Sequence, residues 1–176
     1  VAGGLLIGNP HSVFMSPGIP ITIALTHLGT LGFLATVMLG ATYQLCPVLG
    51  GVRVPRLGLA HLVLVGLVLG LLSMVWGLMT GSTIATKVST YTLPLVFLTF
   101  LVPASIALQR ARPIHTILGM RISLASIGIA ALLGAWLNLR YAGANVPGTR
   151  QIWLQTHLSL GVLGWVGGLL CVLLTL

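Results

Sequence analysis

The chain has 176 residues, 57% hydrophobic and 5% charged, with a mean hydropathy of +1.12. Soluble domains carry roughly 25% charged residues, so this chain cannot clothe a water-facing surface, and its solvent is the lipid bilayer. Eight Lys and Arg stand against no Asp or Glu, for a net charge of +8, which removes paired-carboxylate hydrolysis, carboxylate-held calcium, magnesium or di-iron, and proton relays built on buried acids.

Residues 1–20 are rich in Gly and Pro and read as a loop or a short interfacial helix. No basic segment precedes an apolar run there, so no signal peptide is evident. Five apolar runs follow, near 21–46, 57–79, 91–109, 118–139 and 152–176, each long enough to span lipid. Pro47, Gly50, Gly51, Arg53, Pro55 and Arg56 break the first from the second, and residues 80–90, from Thr80 through Lys87, break the second from the third. Arg110, Arg112, Pro113 and His115 follow the third run, and Tyr141 through Arg150 form the last loop. Backbone groups in hydrocarbon must be paired internally, and the runs are too long and too uniformly apolar for barrel strands. The expectation is an all-α, polytopic transmembrane helix bundle of about five spans, one domain over 1–176.

Five basic residues (Arg53, Arg56, Arg110, Arg112, Arg121) fall at one end of such a bundle and three (Lys87, Arg140, Arg150) at the other. The positive-inside rule places the first end inside and the N-terminus outside, in a bacterial inner membrane. The cations belong at the membrane face, where they meet anionic lipid or an acidic partner rather than nucleic acid.

Chemistry must then rest on five His, two Cys, five Met or an imported group. His27 and His157 lie about five or six residues into the first and fifth spans, which run in the same direction, so both sit roughly 8–9 Å below the same boundary. Two neutral imidazoles at one depth can ligate a metal or a haem iron from opposite sides. His157, Gly161, Gly164 and Gly168 are spaced four, three and four apart and share a helical face, against which either a flat ring or another helix can lie. Trp153, Arg150 and Arg140 fall near the same boundary, and an arginine there can receive haem propionates, the carboxylates this chain lacks. The plain alternative is that each histidine hydrogen-bonds a neighbouring carbonyl and the glycines form a packing seam.

The other candidates are weaker. His61 and His115 lie toward the opposite side and would be a second pair. His11 and Met15, four apart, would touch copper if that stretch were helical. Met38, Met74, Met79 and Met120 read as packing residues, and Cys46 and Cys171 sit in apolar context and need not pair. The scattered glycines form no phosphate-cradling loop.

The stretch from His27 to Arg56, with Gly40-Ala41-Thr42-Tyr43-Gln44-Leu45-Cys46-Pro47, Gly50 and Pro55-Arg56, resembles a helix of the haem–copper oxidase superfamily, nearest its nitric oxide reductase branch. The resemblance implies that His27 is an axial ligand of a low-spin haem. Gln155-Thr156-His157-Leu158-Ser159-Leu160-Gly161 is similar to a ligand-bearing family helix in which a His-x-His pair precedes a glycine-rich run, with Gln155 in place of the first His. That departure implies a retained low-spin ligand and a lost high-spin one, and the tandem histidines of a copper centre are absent. A like habit of His followed by glycines occurs in NnrS-type membrane proteins. The two patches cover roughly 45 residues, and the three middle spans add nothing recognisable.

The expectation is a haem b-binding electron-transfer subunit of a respiratory or photosynthetic complex, an oxidoreductase component without an active site of its own. His27 and His157 would bind iron, Gly161 and Gly164 would admit the ring, and Arg150, Arg140 or Trp153 would hold propionates. Its partners would be lipid, other membrane subunits or further copies of itself, and an acidic redox protein. The competing expectations are a cofactor-free accessory subunit packing through Gly66/Gly70/Gly77 and Gly161/Gly164/Gly168, and a transporter whose third span is broken at Pro94 and Pro103.

Overall fold

All five apolar runs become helices, because only local i to i−4 bonding satisfies every backbone group of a long segment with no polar surroundings. The computed structural model describes residues 2–8, 18–112, 114–145 and 147–174. Among them a short helix α1 (Ala2–Gly8) precedes five helices long and apolar enough to cross a membrane. These are α2 (Pro20–Gly50), α3 (Leu59–Thr80), α4 (Thr83–Arg110), α5 (His115–Ala142, ending in a 3₁₀ turn) and α6 (Arg150–Leu174). No strand occurs among the described residues. His11 and Met15 lie outside them.

The helix ends differ from the expected ones for identifiable reasons. The second and third spans are joined by a two-residue turn rather than a loop over 80–90. Gly81 adopts a left-handed φ of 70° after α3, and the Ser82 side chain then accepts a bond from the Ala85 N–H at 3.4 Å to open α4. Lys87 is therefore helical. α2 runs through Pro47 and stops only at Gly51, φ 62°. Pro94 and Pro103 sit inside α4 without breaking it.

α3, α4 and α5 pack in sequence order, with α2 against α3 and α4 and α6 against α5. The core lies among Leu67 of α3, Phe97, Phe100 and Leu108 of α4, and Ile117 and Met120 of α5, with Trp165 and Leu169 of α6 closing it. Glycines let α3 approach α4 closely. A Cβ on Gly66 would meet the Val96 side chain, one on Gly70 would meet Leu93, and one on Gly77 would fall 2.8 Å from the Thr86 backbone nitrogen. On α6, Gly164 and Gly168 likewise lie against Ser126 and Ser123 of α5. The glycine faces expected to meet partner proteins are thus largely used within the chain.

One polar knot crosses this apolar interior. The buried Asn138 amide on α5 donates to Ser89 Oγ at 3.0 Å, Thr90 Oγ1 at 2.9 Å and the Thr86 carbonyl at 3.3 Å on α4. It ties the two helices together at the end of the bundle where α2 and α6 begin.

Candidate paired-histidine site

His27 stands seven residues into α2 and His157 seven residues into α6, so each is about 10 Å from the start of its helix. The rings face one another with centroids 6.1 Å apart and planes inclined by 17°. Two imidazoles bound to one metal at about 2.0–2.1 Å, each nitrogen about 1.1 Å from its ring centre, have centroids about 6.3 Å apart. The observed separation is close to that value, but the stacked rings present their faces rather than their in-plane nitrogens to one another, so both must turn to ligate one metal.

The hydrogen bonds fix the chemistry of the rings. His27 Nδ1 lies 2.8 Å from the Ile23 carbonyl one turn back, and His157 Nδ1 lies 2.9 Å from the Ala130 carbonyl of α5. A carbonyl only accepts, so each Nδ1 carries the proton and each neutral ring keeps its lone pair on Nε2. No hydrogen bond reaches either Nε2 among the described residues. An anchored Nδ1–H with a free Nε2 is the usual condition of a metal-ligating histidine, because the anchor fixes both tautomer and orientation.

Packing adds to the anchor. His157 lies over Gly134 of α5, where a Cβ would fall 3.0 Å from Cε1 and 3.4 Å from Nδ1. That glycine was missed in the sequence because it lies on a neighbouring span at no readable spacing from His157.

The backbone is unusual beside both residues. α2 changes to π-helix over Thr30–Ala35, three residues after His27, and α6 does so over Ser159–Gly167, two residues after His157. Widened i to i+5 turns are rare and turn the downstream face relative to the upstream one. Both histidine helices carry this change, and none of the three between them does.

The two rings line a cleft of about 120 Å³. α2 and α6 share no packing seam with each other, so the cleft lies between them with α4 and α5 as its floor. Its walls are almost wholly apolar, including Leu34, Leu93, Phe97, Ile127, Ala131 and Val166. Gly161 lines it with nothing within 4 Å of where its Cβ would be. Trp165, only 3% exposed, also lines it, and its indole N–H has no partner. Its polarity, rather than its size, suits a mostly apolar molecule, and a whole porphyrin would have to widen it.

The remaining candidates are placed as follows. Gly164 does not line the cleft but packs on Ser126, because its side of the helix faces α5. The Arg150 guanidinium donates to the Gly18 carbonyl at 3.2 Å and the Tyr141 hydroxyl at 2.8 Å, and Tyr141 also donates to Gly18 at 3.0 Å. Arg150 therefore clamps the segment before α2 to the last loop, outside the cleft. Trp153 packs over Gly148, and Arg140 is exposed. Gln155, His61 and His115 are also exposed. Both cysteines are free, Cys46 buried and Cys171 exposed.

Among the described residues no three His, Cys, Asp or Glu side chains converge. The pair therefore suits a metal whose other ligands arrive with it, as the four nitrogens of a porphyrin do, better than a bare ion needing three or four side chains. No family model, curated protein or solved structure matches the chain.

Proposed function

We propose that the chain is a membrane electron-transfer subunit that binds one b-type haem between His27 and His157. The observation that carries this reading is the pair itself: two neutral imidazoles with centroids 6.1 Å apart, each held by a backbone carbonyl and each offering an unused Nε2. The residues fit the group, since the cleft is lined mostly by apolar surface, Gly161 leaves it open, and the Trp165 N–H has no partner in the protein. Bound there, haem would supply a one-electron ferric–ferrous couple.

The chain's own residues account for the rest. Ile23 and Ala130 keep both Nδ1 atoms protonated and so leave the lone pair of each ring on Nε2. Two protein ligands leave no open coordination position, which suits electron transfer rather than turnover of a substrate. An apolar shell with no carboxylate anywhere in the chain disfavours added positive charge, so the reduced form is favoured.

The likeness of the His27 and His157 helices to low-spin ligand helices of the haem–copper oxidase superfamily belongs to the same proposal. So does the orientation, with the histidine end outside a bacterial inner membrane and the five-arginine end inside. An acidic redox protein would dock at that outer end, beside Arg140 and Arg150.

Titrating the purified chain with haemin tests the proposal. Saturation at one haem per chain is expected, with retention about tenfold weaker or worse in His27→Ala and in His157→Ala. Haem uptake unchanged in both variants would overturn it.

A further inference from the structure

A second feature, well away from the histidines, points to a lipid. Arg121 lies on α5 six residues from its start, about 9 Å into a helix about 37 Å long. A cation at that depth needs a counter-charge or a route to the interface. The chain has no Asp or Glu to provide one. One arm of the guanidinium donates to the Leu108 carbonyl near the end of α4 at 2.7 Å, while Nε is buried without a partner.

From Arg121 a groove runs between α4 and α5, lined by Leu98, Leu101 and Pro94 on one side and Ala125 and Leu132 on the other. Its volume is about 660 Å³. Leu98 and Leu132 are more than half exposed, so the groove is open along the lipid-facing side of the bundle. Leu132 lies eleven positions after Arg121, so the groove is about 16 Å long, about the length of one acyl chain, and ends about 25 Å from the start of the helix. Exposed Arg110 and Arg112 stand at the same end.

We infer that this groove is a binding site for one anionic phospholipid. Its phosphate pairs with the Arg121 guanidinium, and one acyl chain lies along the groove. Phosphate supplies the missing negative charge and can accept from guanidinium nitrogens in parallel. A groove of one acyl-chain length, headed by a cation with no carboxylate in the chain to meet it, favours lipid over a partner helix, which would cross the whole bilayer.

Native mass spectrometry of the full chain, released from mild detergent with equal amounts of phosphatidylglycerol and phosphatidylcholine of matched chains, tests this. One phosphatidylglycerol should be retained roughly tenfold in preference to phosphatidylcholine. Arg121→Gln should lower that retention about fivefold or more. Ala125→Trp, which fills the groove one turn above a guanidinium left in place, should do the same even if Arg121→Gln fails to fold. Arg110→Gln and Arg112→Gln should change it less than about twofold. Equal retention of the two lipids, or phosphatidylglycerol held as before by Ala125→Trp, would overturn the inference. So would a dimer that Ala125→Trp disrupts without any change in bound lipid.

Discussion

The two flanking helices and the three between them are built on opposite terms. In the most apolar stretch of α2 and α6, 22% and 17% of residues are buried, against 44%, 39% and 39% in α3, α4 and α5. The middle helices carry no π-helical turn; α3 meets α4 through glycines, and α4 and α5 share the Asn138 knot. The flanking ones carry histidines, π-helical turns and a cleft they do not close between them. A densely packed centre with underpacked flanks teaches where a ligand would enter: α2 and α6 meet through the His27 and His157 rings, and the space beside that contact is left open.

Substitutions that act on one region and spare the other sharpen this contrast. The largest expected effect is on binding. Gly161→Leu places a side chain in open cleft space, so haem retention should fall about tenfold or more while thermal unfolding followed by circular dichroism is unchanged. If Gly161→Leu bound haem normally, the cleft between the flanks would not be the site.

In the centre, Gly77→Ala puts a Cβ against the Thr86 backbone, which cannot rotate away. Unfolding in a detergent titration should show a loss of about 1–3 kcal/mol. Asn138→Ala removes a buried donor from two hydroxyls and a carbonyl, and the same titration should show about 1–2 kcal/mol lost, given the modest net worth of hydrogen bonds within membranes. A flank substitution costing as much as either would break the contrast.

Gly134→Ala lies where the regions meet. Its Cβ would press on the His157 ring at 3.0 Å, so stability should hold while haem affinity drops a few-fold, roughly as for loss of a supporting contact. Gly161→Ala, with nothing within 4 Å, should change neither stability nor binding by more than about 0.5 kcal/mol.

The bundle was legible in the sequence because apolar length alone sets a spanning helix. The histidine pair was legible because equal depth on parallel spans is simple arithmetic, and the structure brings those two residues face to face. The turn at Gly81-Ser82 was missed although its signal was present, a left-handed stop followed by a capping serine, since Thr and Lys nearby read as loop. Pro47, Pro94 and Pro103 suggested breaks where the helices run on through them. Whether Gly161 or Gly164 faces the cleft depends on how the π turns rotate α6, and nothing in residue order announces those. Asn138 could have been marked, as an amide within a span generally finds partners on another helix. Which hydroxyls it reaches is a tertiary matter, as is the Gly134 seat beneath His157.

The most direct test of haem held by the two flanking helices is the visible spectrum of the chain purified from haem-replete cells, oxidised and then reduced with dithionite, with a pyridine haemochrome count. The expected result is one haem b per chain with a sharp reduced α band of a six-coordinate, low-spin iron. A chain that folds as a helical bundle yet is colourless after gentle purification, and takes up no added haemin, would contradict it and leave His27 and His157 as packing residues.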